Sequence, residues 1–253
     1  EPETPFRLSV GIPLFCEEAG VPELVSRLGA VLDRVDGGPH EIVCVDDGSD
    51  DGTVRALQQA AEDEPRLVIV SLTRNFGHQA ALSAALDHST GDAIVLMDGD
   101  LQDPPEAIPD LLKEFERGYD VVYARRVRRK EGLALRFSYW LFYRLAAALS
   151  DLRMPLDAGD FSLISRRAAD AMRSLDERQR YLRGVRSWVG FRQIGIDVER
   201  AARATGESKY GVWRLVGLAL DGLFSFTVIP LRIAMVIGVA AVGLTSSYGL
   251  YAL

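Results

Sequence analysis

Short apolar runs alternate with helix-spaced stretches from the start of this chain, and no other feature constrains its fold so tightly. The runs are Leu8–Phe15, Glu41–Val45, Leu67–Leu72 and Ala93–Met97. Between the first two, Leu24, Leu28, Val31, Leu32 and Val35 recur at helical spacing, and Gly37-Gly38 closes the pattern. Helices are predicted over 53–63 and 79–88 between the later runs. Continuous apolar strands joined by helices of this length make βαβ units, hence an α/β chain with a mainly parallel sheet and right-handed crossovers. Further on, the spacing predicts helices over 108–117 and 166–175, and strands over 120–123, 161–164 and 191–198.

In such a sheet, ligands bind beyond the C-terminal ends of the strands. The fourth run delivers Asp98-Gly99-Asp100-Leu101-Gln102-Asp103 to that edge before Pro104-Pro105 stops it. Side chains alternate along an extended segment, so Asp98 and Asp100 point the same way, and Gln102 joins them if the chain stays extended. Two carboxylates and an amide oxygen form a hard-oxygen site suited to Mg²⁺ or Mn²⁺ shared with phosphate. A solvated acidic turn is the plainer alternative. No G-x-G-x-x-G follows the first strand and no G-x-x-x-x-G-K-[ST] occurs, so phosphate must be held by metal and basic side chains instead.

The 253 residues carry a net charge of -7, which argues against a nucleic-acid partner. Cys16 and Cys44 form no disulfide or zinc pattern, which points to a reducing compartment. Two stretches depart from an ordinary soluble enzyme. Arg125 to Arg136 is basic, and the helix expected over 133–149 mixes Phe137, Tyr139, Trp140, Phe142 and Tyr143 with Arg136 and Arg144. That mixture suits a membrane interface, with a buried core or a homo-oligomer contact as the other uses of the surface. The tail from Ile233 is uncharged for about 21 positions, the length of a bilayer span. The expected organisation is a catalytic domain over 1–227, containing the interfacial helix, and a transmembrane segment over 228–253.

Several motifs in order resemble glycosyltransferase family 2, and within it the polyisoprenyl-phosphate glycosyltransferases. They are Val45-Asp46-Asp47-Gly48-Ser49, Arg74-Asn75-Phe76-Gly77, Asp98 to Pro105, Gly159-Asp160-Phe161, Arg180-Tyr181-Leu182-Arg183-Gly184 and Gly206-Glu207-Ser208-Lys209-Tyr210. The stretches from Asp157 to Phe161 and Arg183 to Trp188 look most like the bacterial glucosyl branch. The resemblance implies a GT-A fold, a nucleotide-sugar donor, a divalent metal (Mg²⁺ or Mn²⁺) and a polyprenyl-phosphate acceptor. It implies that Pro13, Phe15, Glu17, Asp46, Asp47, Asn75, Asp98, Arg125 and Arg183 bind the nucleotide sugar. Asp98, Asp100 and Gln102 would hold the metal, and Arg128, Arg136 and Lys209 the acceptor phosphate. Asp157 is the implied catalytic carboxylate, with Asp160 beside it. The chain departs from the family at Phe15-Cys16-Glu17, where relatives have Tyr-Asn-Glu, and it lacks the Q-x-x-R-W of processive synthases.

The implied reaction is inverting transfer of glucose from UDP-glucose to undecaprenyl phosphate. The enzyme would sit on the inner or plasma membrane with its catalytic domain facing the cytoplasm. GDP-mannose-dependent and aminoarabinose-type transfer, a soluble acceptor, a nucleotidyltransferase and a non-catalytic scaffold are the alternatives. A phosphate acceptor is largely dianionic at neutral pH, so a strong general base is unnecessary and Asp157 is expected to orient the acceptor or the sugar hydroxyls rather than remove a proton.

Overall fold

The computed structural model describes residues 5–126, 158–175, 181–199 and 229–251. The chain divides into two compact units, one of Glu1–Arg129 with Pro155–Gly206 and one of Lys130–Met154 with Glu207–Leu253. The first unit holds a seven-stranded sheet. Its strands are β1 (Leu8–Leu14), β2 (Glu41–Asp46), β3 (Leu67–Ser71), β4 (Ala93–Leu96), β5 (Val121–Arg126), β6 (Ala158–Ser165) and β7 (Gln193–Val198), in the order β3-β2-β1-β4-β6-β5-β7. The helices are α1 (Val21–Leu32), α2 (Thr53–Asp63), α3 (His78–His88), α4 (Ile108–Glu116), α5 (Arg166–Arg173) and α6 (Leu182–Trp188), with a 3-10 turn at Pro105–Ala107.

All strands but β6 run the same way. β1 pairs in parallel with β2 and β4, and β7 with β5, while β6 lies antiparallel between β4 and β5. The reversal cannot be read from the apolar run at 161–164. It follows because the chain returns to the sheet at Ala158 from the strand-end edge, whereas a βαβ crossover returns it to the opposite edge. Helices cover both faces. Leu8, Val10, Ile12 and Leu14 pack with Leu24, Leu28 and Leu57 of α1 and α2 and with Ile108 and Leu111 of α4. Val43, Val45, Ile94 and Leu96 pack on the other face with Leu82 and Leu86 of α3, Met172 of α5 and Val185 of α6. This period-2 division of strand residues explains why β1 is buried along its whole length.

The second unit contributes helix α7, Ile229–Tyr251, where the sequence predicts a spanning segment. From Met235 onward its apolar side chains are exposed. Among the described residues no helix is long and apolar enough to cross a membrane. The expected interfacial helix over 133–149 lies outside the described residues.

Candidate active site

The reversed strand builds the site. In the β4–β6 ladder Ile94 faces Ile164, Val95 faces Leu163 and Leu96 faces Ser162. Two residues further along the same register, Asp98 leaving β4 comes opposite Asp160 entering β6. A third group arrives from α3: His78 Nε2 lies 3.5 Å from Asp98 Oδ1 and 3.5 Å from Asp160 Oδ2. One ligand atom from each of these side chains falls within 4.8 Å of the others. The fourth comes from α6, where Arg183 donates Nε to Asp160 Oδ1 at 2.7 Å and Nη2 to Oδ2 at 2.5 Å.

This bidentate pair fixes the chemistry of Asp160. Burial alone would raise its pKa, but Arg183 and then His78 outweigh burial and hold the carboxyl well below the usual range. Asp160 is therefore a permanent anion near neutral pH and a poor proton acceptor. The Asp160 hydrogen bond raises the His78 pKa against burial. Asp98 is shifted the other way, upward, by burial and then by the charge on Asp160. Two carboxylates meeting in a half-enclosed place repel, and a cation relieves that repulsion. The donors within reach of one Mg²⁺ or Mn²⁺ ion are His78, Asp98 and Asp160, and Asp160 also engages Arg183 through both oxygens.

The acidic stretch after β4 does not stay extended. It turns at Gly99-Asp100, Leu101 adopts a positive φ of 55°, and Asp100 Oδ1 accepts the Gln102 backbone N–H at 3.1 Å. A Cβ on Gly99 would lie 2.3 Å from Leu14 Cδ2, so the turn packs closely over the end of β1 and a larger residue would require Leu14 to move. The condition on which Gln102 would share a row with Asp98 and Asp100, an extended chain, is not met. A local Asx turn competes with strand extension once the ladder ends at Leu96.

Asp46 and Asp47 reach the same edge but are buried. Asp47 accepts the backbone N–H groups of Phe76 at 2.8 Å and Gly77 at 2.9 Å, which ties the loop before α3 to the end of β2. Gly48, at φ 68°, lets Arg74 approach so closely that a Cβ would sit 2.4 Å from the Arg74 carbonyl carbon. These two residues thus deliver Asn75, which is exposed, and His78. Pro13 is buried in β1 opposite Val45. Phe15 is 47% exposed, and the Glu17 backbone N–H donates to Thr53 Oγ1 at 2.9 Å. Arg125 lies at the end of β5 and pairs with Asp197 at 2.9 Å. Asp157, Arg128, Arg136 and Lys209 lie outside the described residues.

His78 is the member of the cluster that sequence reasoning missed. Its signal was position: it opens the helix that follows a strand end, beside the Arg74-Asn75-Phe76-Gly77 stretch.

An α/β/α sheet with acids, a histidine and an arginine at its strand ends is the GT-A arrangement of the glycosyltransferases. The pattern of glycosyl transferase family 2 matches residues 9–173, and the chain belongs to that family. An uncharacterized glycosyltransferase of Synechocystis sp. is 39% identical over 91% of this chain and 73% of its own length. A prophage bactoprenol glucosyl transferase homolog of Escherichia coli is 37% identical over 96% of this chain and 79% of its own length. In fold, the chain is similar to a mannosyltransferase from Pyrobaculum calidifontis in complex with GDP-Man and Mn²⁺. The TM-score is 0.60 at 21% identity, over 88% of this chain and 64% of that one.

Proposed function

We propose that this glycosyltransferase moves glucose from UDP-glucose to the phosphate of a polyprenyl lipid, undecaprenyl phosphate, at a membrane. The observation that carries the reading is the Asp98–His78–Asp160–Arg183 cluster at the strand ends, in a chain 37% identical to a bactoprenol glucosyl transferase homolog. The described residues of the site offer acids for a metal and an arginine for phosphate, and Asp160, held ionised by Arg183 and His78, is a poor proton acceptor. A phosphate acceptor needs none, because its second pKa of ~6 leaves it largely dianionic at neutral pH.

In this reading Asp98 and His78, with Asp100 after them, would hold Mg²⁺ or Mn²⁺ for the donor diphosphate. When bound, that ion neutralises the charge growing on the departing nucleoside diphosphate. Asp160 fixes Arg183, and the pair orients the sugar and its phosphate for in-line attack at the anomeric carbon. Asp157 orients the acceptor. The exposed apolar side chains of α7 and the aromatic stretch 133–149 seat the enzyme in lipid, with the catalytic unit on the cytoplasmic side. Apolar surface of that extent is costly in water, which supports a lipid covering.

The test is transfer of radiolabelled glucose from UDP-glucose to undecaprenyl phosphate in detergent, with GDP-mannose as the competing donor. A labelled lipid formed from UDP-glucose and abolished by chelator is expected. Label passing only to a water-soluble acceptor, or only from GDP-mannose, overturns the assignment.

A further inference from the structure

Helix α6 places two arginines one turn apart, Arg183 and Arg186, and both meet the start of β6. Asp160 accounts for Arg183. Arg186 lacks such a partner. It is 2% exposed, and its Nη1 donates to the Gly159 carbonyl at a long 3.4 Å. Its guanidinium lies 5.2 Å from the centre of the Tyr123 ring. Among the described residues, Nε and Nη2 have no hydrogen-bond partner. Burial pushes its pKa down to about 10, so the group still carries its charge at neutral pH.

A buried cation with unmet donors destabilises a fold, and an apolar side chain of similar length is often as stable or more so. Stability therefore gives no reason for an arginine here. Its surroundings do. Arg186 lines a small cavity with Asp160, Ser162 and Arg183, the ion pair that holds Asp160 being part of its wall. Its two contacts fall on Gly159, the residue before Asp160, and on Tyr123, which pairs with Ser162 on the far side of β6.

We propose that Arg186 is a positioning residue for sugar transfer: it holds the Gly159 carbonyl, and so sets Asp160 and its arginine at the entry of β6 beside Asp98. Its buried charge also adds positive potential beneath the place where the diphosphate's negative charge develops. The proposal rests on the sugar-transfer reading above.

The experiment compares Arg186→Met and Arg186→Lys with the wild-type enzyme, reading the thermal midpoint together with kcat and donor KM. Met should keep the wild-type midpoint or raise it and hold donor KM within about twofold, while kcat falls at least about tenfold. Lys should recover part of that loss. Unchanged kcat in the Met variant overturns the proposal. So does a drop of several degrees with kcat and KM moving together and no recovery by Lys, the signature of a purely structural residue. Wild-type turnover with lipid phosphate is measured first. If it is absent, the proposed acceptor is wrong, and the same comparison is read on slow hydrolysis of the nucleotide sugar, which needs no lipid.

Discussion

Asp160 is nearly buried yet ionised, and both facts come from its contacts. The Arg183 fork satisfies both oxygens, and His78 approaches one of them. Removing one member of such a pair leaves a charge in a poor solvent, at a cost of about 3–5 kcal/mol. Asp160→Asn should therefore lower the urea midpoint of unfolding and reduce turnover together. Turnover at the wild-type level would mean that the anion does not orient Arg183 for the reaction. Some of this was legible in the residues alone. Asp98 and Asp160 stood out as acids beside glycines at strand boundaries. That they face each other was not legible, because it depends on a pairing direction that no local pattern encodes. His78 looked ordinary because a single histidine carries no spacing signal.

Elements were easier to read than their partners. The helix over 53–63 and strands β1 to β4 follow from the apolar pattern: β1, β2 and β4 are buried almost throughout, while the edge strand β3 is only part-buried. Where short range order gives way to a side-chain turn, as after Leu96, periodicity misleads. The short helix Leu182–Trp188 was also hidden, because cations and aromatics interrupt its apolar face; Gln79 fixes its start by accepting the Leu182 N–H at 3.1 Å. At the edge of the sheet away from the site, Asp120 links β5 to α5. It accepts from Ser165 Oγ at 3.0 Å and from Arg167 Nη2 at 2.8 Å. Burial opposes ionisation there, but Arg167 and Ser165 outweigh it and lower the Asp120 pKa. A lowered folded-state pKa contributes stability that is present above the unfolded value of ~3.9 and is lost as pH falls through the folded value. Asp120→Asn should flatten the acid limb of the stability curve below about pH 4 and leave the neutral transfer rate unchanged. An acid limb identical to wild type would show that this pair does not couple folding to pH.

At the scale of the molecule, the proposed function would divide between two units, the sheet unit binding the donor and the unit containing α7 bringing the enzyme to its lipid acceptor. Removing residues beyond Pro230 should leave UDP binding within about twofold and cut turnover of long-chain polyprenyl phosphate at least about tenfold. Equal use of the long-chain acceptor after truncation would detach α7 from function. The central claim is that β6, by running against β4, completes a metal and diphosphate site at Asp98. Isothermal titration of UDP in the presence of Mn²⁺ tests it most directly, comparing wild type with Asp98→Asn and with Trp188→Ala, an exposed residue at the far end of α6. The account predicts metal-dependent UDP binding that Asp98→Asn weakens at least about tenfold and Trp188→Ala leaves unchanged. Binding that is independent of Mn²⁺ and unaffected by Asp98→Asn would contradict it.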